Sequence, residues 1–308
     1  MMDTHHVPVL YNESLDFLVT SAAGKYFDGT LGFGGHSGGI LERLNENGIL
    51  TATEIDNDAF GFSGKKFSGD NRVRLYNFNF SQIDIVAKIE SIQFFDGIFA
   101  DLGVSSFQLD NPEAGFTYRQ EAKLDLRMDK TKTVNASDVI NSFSEEELAD
   151  IIYKFGEEKN SRKIARRIVQ RRTLGKIETT TDLNQVILEI TPHNYQVKTL
   201  SRVYQAFRIF VNDELNVLRS FLEKAVGLLK PGGRIVIISY HSLEDRIVKE
   251  AFKYETIDCI CPKDYPVCKC DKEKRLKILT KKPVLPSDDE IKNNFRSRSA
   301  KLRAAERI

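Results

Sequence analysis

Phe27-Asp28-Gly29-Thr30-Leu31-Gly32-Phe33-Gly34-Gly35-His36-Ser37 is the stretch on which the reading of the whole chain turns. An apolar run enters an aspartate and a glycine-rich turn, and Ile40-Leu41-Glu42-Arg43-Leu44 follows with helical spacing. Glycines let a backbone turn sharply and approach a ligand closely, while a helix N-terminus presents free N–H donors. Outward from that turn, Ile49 to Ile55 and Phe94 to Ala100 read as further strands, closed by Asp56 and Asp101. Short apolar runs alternating with helical segments predict consecutive βαβ units and therefore an α/β fold on a parallel sheet.

The turn is a near miss for the dinucleotide fingerprint, because Ser37 stands at the third glycine position. It fits instead the Asp-x-x-x-Gly-x-Gly spacing of class I (Rossmann-like) methyltransferases. An acidic residue about twenty positions on can accept both ribose hydroxyls of a nucleoside cofactor, which selects Asp56. Asp56-Asn57-Asp58 also suits a helix cap, and that alternative stands beside it. Ligands of open α/β sheets sit at the carboxyl ends of strands, where Phe80 and Asp101 would fall; Phe80 would flank an adenine or pack in the core.

Leu215 to Leu229 carries apolar residues at helical spacing, Lys230-Pro231-Gly232-Gly233 breaks it, and Arg234 to Ser239 reads as a buried strand that resumes the sheet. Between the two blocks the chain is charged and helical, with Ser144-Glu145-Glu146-Glu147 as a helix start. The domains expected are 1–109 with 200–308 for the sheet and 110–199 for an inserted helical domain that recognises substrate. The C-terminal stretch rich in Pro, Cys, Lys and Arg is expected to be a surface extension.

The 308 residues carry 45 Lys and Arg against 44 Asp and Glu, so any nucleic-acid surface has to come from local clustering. Lys159 to Arg172 is such a cluster: an amphipathic helix whose polar face, with Arg162, Arg166 and Arg167, is cationic and suited to phosphates. Arg296, Arg298, Lys301 and Arg303 form a second basic segment. The N-terminus has no basic-then-apolar leader and no apolar run is long enough to span a bilayer, which predicts a cytoplasmic protein without membrane partners.

The separate motifs together resemble the MraW (RsmH) family of bacterial 16S ribosomal RNA cytosine-N4 methyltransferases over almost the whole chain. They are His6-Val7-Pro8-Val9-Leu10, Asp28 to Ser37, Asp101-Leu102-Gly103-Val104-Ser105-Ser106, Leu124 to Asp129, Gly156-Glu157-Glu158, Gln205 to Leu215, Pro231 to Arg234, Ser239 to Arg246 and Arg298 to Arg303. The resemblance implies S-adenosyl-L-methionine as cofactor, contacted by Gly34, Gly35, His36, Asp56, Phe80, Asp101 and Gln108. It implies a target cytosine in the decoding region of the small ribosomal subunit's 16S RNA. Phe107, Ala122-Lys123, Lys198-Thr199 and Phe295 depart from the family's usual residues, none at a cofactor position.

Transfer to an exocyclic amine needs alignment with the methyl group and exclusion of water, and no metal. Asp101 is the expected acceptor of the N4 hydrogens; its competing role is to bond the cofactor. Methylation at carbon 5 would need a thiolate, and no Cys lies near the expected strand ends. Ser239, His241 and Asp245 are expected to line the substrate pocket, His241 as a binding group. Cys259, Cys261, Cys268 and Cys270 would suit zinc, but Cys-x-Cys pairs are less typical than Cys-x-x-Cys and the resemblance implies no metal, so reduced thiols are expected. Two other classes share these features: a nicotinamide-dependent oxidoreductase, and a non-catalytic RNA-binding assembly factor on the same fold.

Overall fold

The structure, a computed structural model, describes residues 8–105, 108–109, 111–112, 115–262 and 267–308; His6, Val7, Ser106, Phe107 and Asp110 lie outside them. The chain divides into two compact units, Met1–Gly103 with Leu215–Ile308, and Val104–Glu214.

The first unit is built on a seven-stranded sheet. Its strands are β1 (Lys25–Asp28), β2 (Ile49–Thr53), β3 (Val73–Tyr76), β4 (Phe95–Asp101), β5 (Leu229–Ser239), β6 (Leu276–Ile278) and β7 (Lys301–Arg307), in the order β3-β2-β1-β4-β5-β7-β6. β1 to β5 pair in parallel, and β7 runs antiparallel to both β5 and β6. This is the class I methyltransferase sheet expected from the glycine turn. Interior parallel strands are covered on both faces and so read as unbroken apolar runs; in β4 every residue before Asp101 is buried. Tyr26, Leu50, Phe99, Val236, Ile238 and Leu302 belong to one apolar cluster, and each fully buried large side chain contributes about 1.5–3 kcal/mol.

Two expectations change here. Lys230 to Gly233 does not precede the strand but bulges within it: Leu229 already pairs with Phe95, and the register resumes at Arg234 opposite Gly97. The C-terminal stretch is not a surface extension throughout, because β6 and β7 complete the sheet and Leu302, Ala304 and Ala305 are buried. β7 is short and carries arginines, so its burial follows from pairing with β5 and not from its own composition.

The second unit contains helices Ala136–Ser142, Glu145–Gly156, Ser161–Arg172, Thr180–Leu188 and Gln196–Asn212. Ser144 caps the second of these in a reciprocal box with Glu147. Leu148, Ile152, Ile164, Ile168, Val203 and Phe207 pack together as its core. The boundary expected at 199/200 falls inside helix Gln196–Asn212, whose Val203 and Phe207 belong to this core, and the unit therefore continues to Glu214. Among the described residues no helix is long and apolar enough to cross a membrane.

Candidate active site

The strand order reverses between β1 and β4, which are neighbours although distant in sequence, and crevices at such a point are where open α/β sheets bind ligands. Gly29 N–H donates to the Phe99 carbonyl at 2.8 Å and Asp101 N–H to Thr30 Oγ1 at 2.7 Å, so the glycine turn and the end of β4 are bonded side by side.

The turn is held from beneath by buried acids. Asp28 accepts from Thr30 N–H at 3.0 Å and from Ser37 Oγ at 2.6 Å, clamping both ends of the loop, and burial raises its pKa. Glu54, which sequence reading passed over, accepts from Gly32 N–H at 2.8 Å and, through its other oxygen, from the N–H groups of Ile55 and Asp56 at 2.8 Å each. Burial pushes its pKa up to about 7. Gly34 is the N-cap of helix Gly35–Arg43 with φ 73°, and a Cβ there would come within 2.5 Å of the Phe67 ring. Only glycine fits that position. As a glycine, the N-cap makes no side-chain cap bond, and the helix presents its positive dipole end there.

Asp56 follows β2 and caps helix Asn57–Lys66, accepting from Asp58 and Ala59 N–H at 2.9 and 3.1 Å. The capping alternative is thus present. A carboxylate offers about four acceptor sites, so a cap and a ribose contact do not exclude one another. Phe80 opens a short turn after β3, half-buried, edge-on to Phe221 with centroids 5.0 Å apart, and its Cβ lies 2.9 Å from where a Gly29 side chain would begin.

Asp101, at the end of β4, accepts from Tyr240 Oη at 2.9 Å, and its other oxygen lies 3.8 Å from His36 Nδ1. Burial pushes the Asp101 pKa up to about 8 against the opposing effect of the Tyr240 bond; Asp28 and Glu244 add repulsion. His36 is buried against Phe99, and its Nε2 is bonded to the Val9 carbonyl at 3.0 Å. A carbonyl only accepts, so the neutral ring carries its proton on Nε2 and turns Nδ1 toward Asp101. Gly34, Gly35, His36 and Asp101 are thereby brought together in one unit, while Gln108 belongs to the other, where it exchanges bonds with Ser105 at 3.0 and 3.1 Å.

The expected substrate residues fare differently. Ser239 is buried and donates to the Lys301 carbonyl at 3.4 Å, inside the sheet. His241 caps helix Ser242–Tyr254, with Nδ1 3.4 Å from Glu244 N–H and Nε2 3.1 Å from Glu244 Oε1. Asp245 is paired with Arg303 at 2.6 Å and Lys301 at 3.6 Å, an ion pair that also removes Arg303 from the expected basic segment. On helix Ser161–Arg172, Arg162 and Arg166 are exposed; Arg166 reaches Glu145 at 3.3 Å, and Arg167 is bonded to Glu189. The stripe is therefore less purely cationic than its own sequence suggests, although exposed pairs of this kind contribute only about 0–1 kcal/mol and exchange readily.

The residues present fit S-adenosylmethionine: a glycine turn closed to a side chain at Gly34, a helix N-terminus for a carboxylate, an acid after β2 and an aromatic after β3. Tyr240 and Glu54 lie outside the sequence reading because the contacts that tie them to the site, Asp101 for Tyr240 and Gly32 for Glu54, come from elsewhere along the chain.

The sequence profile of the MraW methylase family matches residues 3–308. A protein of Caldicellulosiruptor saccharolyticus named ribosomal RNA small subunit methyltransferase H is 50% identical over 304 residues, covering 98% of this chain and 99% of its own. The like-named protein of Fusobacterium nucleatum is 48% identical, covering 99% of this chain and 97% of its own. Among solved structures, the N-methyltransferase NodS of Bradyrhizobium japonicum aligns over 96% of this chain and 93% of its own, at 9% identity and a TM-score of 0.42. That likeness is loose, so family placement rests on the profile and the relatives: the chain belongs to the MraW methylase family.

Proposed function

We propose that this protein transfers a methyl group from S-adenosylmethionine to N4 of a cytosine in the decoding region of 16S ribosomal RNA, acting in the cytoplasm on the small subunit. Family membership supports methyl transfer, and relatives named for the small subunit's RNA support the substrate. It also sets aside the nicotinamide-dependent reading.

The observation that carries the amine chemistry is Asp101. An acid at the end of β4, bonded to Tyr240 and facing His36, is an oriented hydrogen-bond acceptor beside the glycine turn. An exocyclic amine has its lone pair delocalised into the ring, and acceptors that bond its hydrogens favour the tetrahedral nitrogen of the transition state. When bound, the cofactor supplies an electrophilic methyl on a sulfonium. Asp101 would orient the N4 hydrogens, the turn Gly32 to Gly35 would hold the cofactor's carboxylate end, Asp56 the ribose and Phe80 the adenine face. All four cysteines lie at 259–270, away from the strand ends that carry these groups, which favours nitrogen over the thiolate-dependent carbon 5. The unit Val104–Glu214, with the cationic Arg162, Arg166 and Arg167, would recognise RNA, and His241 would support the substrate side from the end of β5.

The test is transfer of labelled methyl to small subunits lacking the modification, followed by nucleoside mass spectrometry. N4-methylcytidine that disappears in Asp56→Ala is the expected result. Cofactor-independent RNA binding with no transfer would instead favour the assembly-factor reading, and 5-methylcytidine would overturn the role given to Asp101.

A further inference from the structure

We propose that Cys259, Cys261, Cys268 and Cys270 form a structural zinc site that pins the loop between helix Ser242–Tyr254 and β6. The four Sγ atoms lie within 4.8 Å of one another. Cys261 and Cys268 are 4.0 Å apart, Cys268 and Cys270 3.5 Å, and Cys270 and Cys259 3.9 Å. Tetrahedral zinc with bonds of about 2.3 Å sets its sulfurs about 3.8 Å apart. Iron–sulfur clusters spread their four thiolates over two or four irons and so need a wider ring, whereas this spacing fits a single ion.

The backbone around the sulfurs is arranged in a reciprocal way. Ile260, the middle residue of the first Cys-x-Cys pair, donates its N–H to Cys270 Sγ at 3.3 Å, and Lys269, the middle residue of the second, donates to Cys261 Sγ at 3.3 Å. Donors aimed at sulfur are the outer-shell contacts that stabilise negative thiolates on a metal. They offset the charge of a site that carries two net negative charges once four thiols have released their protons to bind Zn²⁺.

The loop has little else to order it. Residues 256–262 and 267–275 include no residue that is buried as a whole, and the loop is longer than most connections without secondary structure of their own. Its base is closed by Glu255, whose carbonyl accepts from Arg275 and Leu276 N–H at 2.8 and 3.0 Å and whose carboxylate pairs with Arg275 at 2.6 Å and Lys272 at 3.3 Å. Nothing comparable among the described residues holds its far end except the sulfurs. The spacing Cys-x-Cys, which argued against a metal in sequence, becomes suitable because two such pairs face each other.

The inference is independent of the methyl-transfer reading. Full-length protein purified under reducing conditions without chelator should carry one zinc per chain by elemental mass spectrometry. Cys259→Ser with Cys270→Ser should lose it while keeping the parent's circular dichroism. Zinc added back to metal-stripped protein should protect all four thiols from alkylation and slow proteolysis within 256–275. Absence of stoichiometric zinc, iron with acid-labile sulfide, disulfides in the purified protein, or alkylation unchanged by zinc would each overturn the proposal.

Discussion

Tyr240 donates its phenolic hydrogen to Asp101 across 2.9 Å, joining the end of β5 to the end of β4 at an acid whose pKa burial pushes up to about 8. At neutral pH that carboxyl is mostly protonated in the unliganded protein, whereas both a sulfonium and an amine hydrogen call for the carboxylate. Cofactor binding is therefore expected to release a proton. Titration calorimetry at pH 7 in buffers of different ionisation heat should show it, with apparent affinity rising toward pH 8. Tyr240→Phe, which removes the bond that lowers the pKa, should weaken binding at pH 7 by roughly three- to tenfold and shift the rise to higher pH. An affinity flat across pH 6–9 would contradict a protonated Asp101 in the free protein.

The same burial has a cost for folding. A carboxyl whose folded pKa is raised contributes stability below its ordinary value near 4, and that contribution is lost as pH rises through about 8. Asp101→Asn removes the charge that must be buried. It should leave Tm nearly unchanged at pH 4 and raise it at pH 9 by roughly 2–4 °C for each kcal/mol recovered, while reducing methyl transfer. Thermal melts of the unliganded proteins at the two pH values measure this.

Two glycines at one helix separate space from propensity. Gly34 has φ 73° and would place a Cβ 2.5 Å from Phe67, whereas a Cβ on Gly38 would meet nothing within 4 Å. Gly34→Ala should destabilise the protein by more than about 1 kcal/mol and abolish cofactor binding. Gly38→Ala should stabilise it by up to about 1 kcal/mol. Denaturant melts give both signs.

Basic residues should divide in the same manner. Arg303 and Asp245 are both mostly buried, at 10% and 15% side-chain exposure, and Arg303→Met should cost about 2–3 kcal/mol, less than the full cost of breaking a buried pair. Its effect on RNA affinity should be small. Changing Arg162, Arg166 and Arg167 together to Gln should leave Tm within about 1 °C, since exposed pairs contribute little. That triple variant should weaken RNA binding and flatten the salt dependence by roughly 0.7 for each phosphate no longer neutralised. A binding series from low to high salt with the parent and both variants distinguishes the two outcomes.

The glycine turn, the acids after β2 and β4 and the parallel sheet were legible because each is written in neighbouring residues: a glycine pattern, an apolar run, an acid at its end. Boundaries were less legible. Helix Gln196–Asn212 continues past residue 200 because Val203 and Phe207 fill the helical unit's core, which no local pattern announces. Ser239 and Asp245 looked like pocket residues by following a strand, yet their partners, Lys301 and Arg303, arrive from the last strand of the chain.

What the amino-acid sequence determined by itself is the set of local choices: which segments are strands, where the backbone must be glycine, and the ordered motifs that place the chain in its family. What only the tertiary structure decided is every property that depends on a distant partner. Glu54 becomes a brace because Gly32 lies over it, Asp101 becomes a weak acid because its burial outweighs the hydrogen bond that Tyr240 brings from the end of β5, and four ordinary cysteines become a cluster because a loop doubles back. Burial and electrostatics are sums over neighbours in space, and those neighbours exist only once the chain has folded.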